Sequence, residues 1–257
     1  MYTTLKLENK QRVATVTLNR PEARNAMSAK LMREMIACAG RVGTMRDVDA
    51  VIVRGSGVCF SAGADLKDAS RWSNGALPFE QQREIASLGY RMCRAWEQMQ
   101  PITIAAIEGY AVGGALALSL ACDWRVAADD AFVSLPEIAL GIPLTWGTLA
   151  RLTALVGPAR AKRLTILCER IGAPEALAMG LIDELAPKGQ ALERARALAR
   201  RTLAMPAAAV RMSKESINAL ATALHHAGGH MAHDQLALAA QSDESRAARD
   251  AALQRPG

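Results

Sequence analysis

Hydrophobic and polar residues alternate near the start of the chain, and this alternation predicts a β-hairpin. The alternating segments are residues 4–7 and 13–18, with a polar turn at residues 9–11 between them. Two later segments, residues 51–55 and 102–107, are short apolar runs that contain several β-branched residues. Such runs are typical of buried strands.

Helical periodicity appears between and after these strands. Ser28 stands where an N-cap is expected, and apolar residues recur at helical spacing from Leu31 to Ile36. A second helix is expected around residues 82–99, and a short, strongly apolar one over residues 115–121. Strands and helices therefore share the first part of the chain, which indicates an α/β body.

Helical patterns dominate the rest of the chain. Pro174 and Pro206 suit the first turns of two helices, because proline fits there without losing a helical hydrogen bond. The change of pattern predicts an α/β core over residues 1–200 and a helical C-terminal region over residues 201–257.

Two glycine-bearing turns follow the two apolar strands and are the first candidates for chemistry. One contains Gly63 within residues 61–65, and the other contains Gly113 and Gly114 at the start of the apolar helix. A helix start exposes free N–H groups and favours negative charge. Glu137 follows soon after and adds a carboxylate. Amides that bind an anion, together with one positioned carboxylate, can stabilise an enolate and move a proton.

The charge of the chain favours an anionic small molecule over a nucleic acid. The formal net charge is +6 and the pI is near 9.3, but the basic residues are scattered along the chain. Aromatic residues make up only 4% and do not interleave with the basic ones. We therefore expect no nucleic-acid partner.

Cysteine usage and the apolar segments indicate a cytoplasmic protein. The five cysteines form an odd set without C-x-x-C spacing, which is typical of free thiols in a reducing compartment. The first residues lack the long apolar core of a signal peptide. The longest apolar stretch, residues 111–122, is too short to span a bilayer, so we expect no membrane partner.

Several motifs resemble, in their sequences and in their order along the chain, those of the crotonase superfamily, that is, the enoyl-CoA hydratase/isomerase family. The similarity runs from about residue 3 to about residue 250. It is carried by the segments LNRPEARNAM (18–27), CFSAGADLK (59–67), PITIAAIEGYAVGG (101–114), FVSLPEIALGI (132–142) and APEALAMGLID (173–183).

The resemblance implies a fold, an assembly and a substrate. The fold would be a crotonase-like spiral of β-β-α units, followed by helices that assemble homotrimers, often paired into dimers of trimers. The substrate would be an acyl-CoA, with coenzyme A as part of the substrate and no separate cofactor or metal. Its thioester carbonyl would lie between two backbone amides. By motif position these belong to Gly114 and Ala62, with Ala64 one step away, and Glu137 would be the catalytic carboxylate.

The same motifs imply a set of substrate-binding residues. Arg24 and Lys67 would meet the CoA phosphates, although both positions are also compatible with ordinary surface cations. Asp65 would hold its own turn or meet the nucleotide. The walls of the acyl pocket would come from residues 66–90 and 143–147. The remaining residues expected to contact the substrate are Ala64, Leu66, Gly113, Ala117, Thr145 and Trp146.

One position departs from the family pattern and makes the reaction uncertain. Hydratases of the family carry a second glutamate three residues after the second oxyanion glycine, and this chain has Ala117 there. A single carboxylate at Glu137 suits an isomerase-like proton shuttle, and a raised pKa would suit its dual role. Weakened hydration, thioester hydrolysis, a silent acyl-CoA-binding protein and a purely structural Glu137 stay open. Asp68 or Glu84 could also reach inward.

The four histidines form a cluster near the C-terminus, at His225, His226, His230 and His233. Their helical spacing could gather a metal ion on one face. Two glycines at 228 and 229 interrupt that helix. A surface helix near a subunit contact is therefore the better interpretation.

Overall fold

Two β-sheets form the frame of the protein. The computed structural model describes residues 2–70, 77–223, 225, 232–239 and 242–254, and every structural statement below concerns these residues. The strands in chain order are β1 (Leu5–Lys10), β2 (Val13–Leu18), β3 (Ala50–Gly55), β4 (Ile102–Ile107), β5 (Tyr110–Val112), β6 (Trp124–Ala128), β7 (Phe132–Ser134), β8 (Ile171–Gly172) and β9 (Glu184–Ala186).

The larger sheet has the order β1-β2-β3-β4-β6-β9, and the smaller one has the order β5-β7-β8. In the larger sheet β1 runs antiparallel to β2, and the other neighbours are parallel. In the smaller sheet β5 and β7 are parallel, whereas β7 and β8 are antiparallel. This arrangement confirms the α/β class.

Helices connect and cover the strands. They are α1 (Ala29–Gly43), α2 (Phe79–Glu97), α3 (Gly114–Leu120), α4 (Thr148–Ile166), α5 (Ala173–Ala178), α6 (Ala191–Leu203), α7 (Ala207–Ala221), α8 (Ala232–Ala239) and α9 (Asp243–Leu253). Short 3₁₀ helices occupy Pro21–Ala23 and Ile138–Leu140. None of the helices in the described ranges is both long and apolar enough to cross a membrane.

The predicted hairpin and the predicted N-cap are both confirmed. Leu5 pairs with Leu18 and Lys10 with Val13, so the turn lies slightly later than predicted, at Gln11–Arg12. Both turn residues have positive φ, of 52° and 64°, as a tight two-residue hairpin requires. At α1, the Ser28 side chain accepts a hydrogen bond from Leu31 N at 3.2 Å.

The core lies on both sides of the larger sheet. Along β3, Val51 and Val53 point into the larger cluster that α1 and α2 cover, whereas Ala50 and Ile52 belong to a second cluster. α6 contributes three alanines, at 191, 195 and 199, to that second cluster. Because successive residues of a strand point to opposite faces, this division explains why the strand is apolar throughout.

Polar anchors fasten α7 to the core. Lys214 Nζ lies 2.6 Å from Asp123 Oδ2, and the same oxygen accepts a hydrogen bond from Thr103 N. Arg211 Nη2 donates to Asp49 at 2.9 Å. The region predicted from residue 201 begins within the last turn of α6, and the division into two regions stays a prediction.

Candidate active site

Backbone hydrogen bonds bring the two glycine turns together. Ser61 N donates to Tyr110 O, and Val112 N donates to Ser61 O, each at 3.2 Å. The turn after β3 is thereby aligned with the short strand β5, which leads directly into α3. The two segments that the sequence singled out therefore form one structure.

Gly63 allows the two turns to approach closely. A Cβ atom at this position would lie 2.3 Å from Val112 O and 3.2 Å from Gly114 N. Its φ of +86° also favours glycine. A larger residue would push the first turn away from the start of α3.

Among the residues that line the cavity at this junction, Ala64 and Gly114 have free backbone amides. Ala62 N donates to Arg24 O at 3.0 Å, and Gly63 N donates to Ser61 Oγ at 3.1 Å. Ala64 N and Gly114 N have no acceptor among the described residues. The prediction that named Ala62 as the first donor is therefore wrong, because the N–H of Ala62 is already engaged within the turn.

Both free amides belong to residues that line one cavity of about 160 Å³. Its other described walls come from the loop between β7 and α4 and from the turn that follows Gly63. The lining residues are Ala62, Ala64, Leu66, Val112, Gly113, Gly114, Ala117, Pro136, Glu137, Leu140, Ile142, Pro143, Leu144, Thr145, Trp146 and Thr148. Of these, Glu137 alone carries an ionisable side chain.

Glu137 packs directly against the glycine turn. A Cβ atom on Gly113 would lie 2.6 Å from Glu137 Oε1, and Gly113 adopts a φ of +56°. Glu137 Oε2 is buried and has no hydrogen-bond partner among the described residues. Burial raises the pKa of the Glu137 carboxyl from 4.5 to about 7.

The alternative interpretation of Glu137 as a capping or pairing residue finds no support in these contacts. It precedes the 3₁₀ helix Ile138–Leu140, but its side chain makes no capping hydrogen bond there. A carboxyl that lines a cavity, has one buried oxygen without a partner and has a raised pKa is typical of a catalytic group.

Of the two segments predicted to form the acyl pocket, residues 143–146 line this cavity, whereas residues 66–90 contribute only Leu66 among the described residues. Ala117 and Trp146 are almost fully buried, and together with Leu66, Gly113 and Thr145 they line the cavity. Among the described residues, no second carboxylate takes the place that Ala117 leaves. Asp68 instead accepts a hydrogen bond from Ala29 N at the start of α1, and Glu84 pairs with surface arginines.

Asp65 holds its own turn, which was one of the two predicted roles. Its carboxylate accepts hydrogen bonds from Lys67 N at 3.0 Å and from Arg20 Nη1 at 2.9 Å. Sequence reasoning missed Arg20 and also Asn25, whose buried amide donates to Ser56 O and Cys59 O. Both residues lie within residues 18–27, one of the segments that carry the family resemblance. The motif therefore marked their positions but not their hydrogen bonds to the turn.

The cations predicted to meet phosphates lie beside the same turn. The Arg24 carbonyl accepts the Ala62 N–H, and the Lys67 amide bonds to Asp65. Both residues are exposed. Their contact with a substrate stays a prediction.

The predicted histidine cluster falls largely outside the described residues. Of its four side chains, only His225 is described, with Nδ1 3.7 Å from Glu97 Oε1. The described part of the chain contains no group of three residues able to hold a metal ion.

Comparisons with known proteins agree on one family. Residues 8–253 match the family model described as enoyl-CoA hydratase/isomerase. A probable enoyl-CoA hydratase of Mycobacterium bovis is 36% identical over 84% of this chain and 82% of its own length. The short-chain-enoyl-CoA hydratase of Clostridium acetobutylicum is 34% identical over 82% and 80%. The crystal structure of an enoyl-CoA hydratase from Mycobacterium avium subsp. paratuberculosis covers 99% of this chain and 97% of its own, with a TM-score of 0.88 and 26% identity.

Proposed function

The chain belongs to the enoyl-CoA hydratase/isomerase family, and from this premise we propose that it is an isomerase-like enzyme that moves the double bond of an enoyl-CoA with Glu137 as its single proton carrier. The observation that carries the proposal is the composition of the cavity. Among its described lining residues, Glu137 is the one ionisable group, and its Oε2 is buried with no hydrogen-bond partner among the described residues.

Two backbone amides support enolate formation. The N–H groups of Ala64 and Gly114 are the proposed donors to the thioester oxygen, because each lines the cavity and neither has another acceptor among the described residues. Loss of one such donor typically costs about 10²–10³ in rate. The turn contacts made by Asp65 and Gly63 keep the first donor in place.

Glu137 acts first as a base and then as an acid. Its carboxylate removes a proton from C2 of a 3-enoyl-CoA, which gives a dienolate whose charge rests on the thioester oxygen. The protonated carboxyl then returns the proton to C4, which leaves the double bond between C2 and C3. A pKa of about 7 suits both steps near neutral pH.

Hydration needs more than this cavity offers. Adding water to a double bond requires a group that holds and deprotonates the water, and a group that protonates the neighbouring carbon. Ala117 supplies neither, and Thr145 is too weak an acid and base to replace a carboxylate. Weak hydration through Glu137 alone is the second candidate.

Coenzyme A enters as part of the substrate, and no other cofactor is proposed. Exposed Arg24 and Lys67 are the proposed partners of its phosphates. We also propose a cytoplasmic homotrimer or dimer of trimers. The assembly is supported by a set of exposed apolar side chains on the helical half of the chain, namely Ile166, Leu167, Met205, Ile217 and Leu220.

A comparison of two substrates tests the reaction. The purified protein receives a 3-enoyl-CoA and a 2-enoyl-CoA, and double-bond migration is measured against water addition and free CoA release. We expect migration to be faster than either of the others. Rapid hydration would contradict the inference that Ala117, in place of a second glutamate, prevents efficient water addition. Release of free CoA would indicate a thioester hydrolase.

A matched pair of variants tests the role of Glu137. Glu137→Gln should abolish turnover and retain CoA binding, whereas Glu84→Gln, which removes an exposed carboxylate that does not line the cavity, should leave turnover unchanged. Unchanged turnover in Glu137→Gln would refute the assignment. Binding without any turnover in the wild type would indicate a silent acyl-CoA-binding protein.

A further inference from the structure

The indole of Trp146 occupies a slot between two helices, and two glycines make the slot. A Cβ atom on Gly89 of α2 would lie 1.9 Å from Trp146 Cε2, and one on Gly114 of α3 would lie 2.2 Å from Trp146 Cζ3. The side chain is therefore in contact with both helix backbones. Only 5% of Trp146 is exposed.

A hydrogen bond from Arg151 also fixes the backbone of Trp146. Arg151 Nη1 donates to Trp146 O at 2.9 Å. The same guanidinium binds both oxygens of Glu97, at 2.7 and 2.9 Å. Trp146 itself has a φ of +43°, a conformation that non-glycine residues rarely adopt, so the surrounding contacts hold it there.

The ring lies beside a proposed donor to the thioester oxygen, so it borders the space available to the acyl group. It lines the cavity and touches Gly114, whose N–H is one proposed donor to the thioester oxygen. The cavity left beside it measures about 160 Å³. An apolar protein cavity of roughly 150 Å³ holds one benzene molecule, that is, six carbon atoms.

We propose that Trp146 is a specificity-determining residue, which closes the acyl cavity and limits the substrate to short acyl groups of about four to six carbons. This inference rests on the proposed function, because it assumes that the cavity receives an acyl-CoA. Arg151 and Glu97 are positioning residues, which act through the backbone of Trp146 and not on the substrate.

Binding of saturated acyl-CoAs tests the inference without requiring any reaction. Isothermal titration compares butyryl-CoA with decanoyl-CoA on the wild type, Trp146→Leu and Trp146→Phe. The wild type should prefer butyryl-CoA. In Trp146→Leu, each methylene newly admitted to the cavity should improve affinity about fourfold, which corresponds to ~0.8 kcal/mol per buried CH₂.

The control is the same change at another buried tryptophan. Trp96 lies in α2, is fully buried and does not line the cavity. Trp96→Phe and Trp146→Phe should both lower thermal stability, but Trp146→Phe alone should shift the preference towards decanoyl-CoA. Arg151→Met should shift it in the same direction, which a purely structural arginine would not do.

The outcomes separate this inference from the proposed reaction. If butyryl-CoA is preferred and Trp146→Phe relaxes that preference, the inference stands even where no isomerisation is detected. If the wild type isomerises enoyl-CoAs yet binds both acyl chains equally, the inference is overturned and the proposed function stands. Folded Trp146 variants with unchanged chain-length preference would also overturn it.

Discussion

Replacing Glu137 by glutamine should change how the stability of the protein depends on pH. The carboxyl is buried, its Oε2 has no partner among the described residues, and burial raises its pKa from 4.5 to about 7. Glutamine has a similar shape but does not ionise. The difference in unfolding free energy between the two proteins therefore isolates the cost of charging this carboxyl in the folded state.

The sign and size follow from the two pKa values. Between pH 4.5 and about 7 the folded protein keeps the proton of Glu137, whereas the unfolded chain loses it. The wild type therefore loses stability as pH rises through this window, at about 1.4 kcal/mol per pH unit. Over a gap of roughly 2.5 pH units the loss is about 3 kcal/mol. Above pH 7 both states are ionised, and the difference becomes constant.

Urea unfolding at several pH values between 4.5 and 8 measures this difference at one fixed protein concentration. Stability of Glu137→Gln relative to wild type should rise steadily up to about pH 7 and then level off. Any constant offset from the buried amide does not affect the slope. Glu84→Gln should not reproduce the trend, because the Glu84 side chain is exposed.

The pH dependence of the kinetics gives an independent measurement of the pKa of the Glu137 carboxyl. Since the free carboxylate is the proposed base, kcat/KM for isomerisation should fall about tenfold per pH unit below pH 7 and be level above it. A flat stability difference together with a kinetic pKa near 4.5 would refute the argument, because Glu137 would then behave as a solvated carboxyl.

Three further predictions concern neighbouring contacts. Gly113→Ala should lower kcat about 10²-fold with little change in KM, measured by steady-state kinetics, because its Cβ would lie 2.6 Å from an oxygen of the buried glutamate. Lys214→Met should lower the free energy of unfolding by about 3–5 kcal/mol in urea, since it leaves the carboxylate of Asp123 without its cation, and adding Asp123→Asn should recover part of that loss. Arg24→Gln and Lys67→Gln should each raise KM about fivefold at low salt without changing kcat, and the effect should shrink as salt is added.

The strands and the first helix could be predicted from the sequence because their signals are local. The alternation in β2, the apolar run of β4 and the cap at Ser28 each depend on residues that are close together in the chain. The predicted hairpin turn lies slightly earlier than the observed one, because the position of the turn depends on the register between β1 and β2.

Which alanine has a free amide for the proposed oxyanion site could not be predicted from local pattern alone. Ala62 and Ala64 are both small residues flanking the same glycine, and nothing in the motif distinguishes their amides. The two amides differ because the carbonyl of Arg24, 38 positions upstream of Ala62, accepts the N–H of Ala62 and leaves that of Ala64 free. Trp146 is similar, since its place depends on two glycines in separate helices.

The residues proposed to limit the acyl group also surround the carboxyl of Glu137. Ala117 lies one helical turn after Gly114, on the same side of α3, and the Trp146 ring already covers Gly114. A second carboxylate at position 117 would have to share that space with the indole. Burial removes water from Glu137, and this desolvation is the main cause of its raised pKa. A cavity lined by apolar residues, with no second carboxylate among its described walls, therefore supports the proton-shuttling role proposed for Glu137.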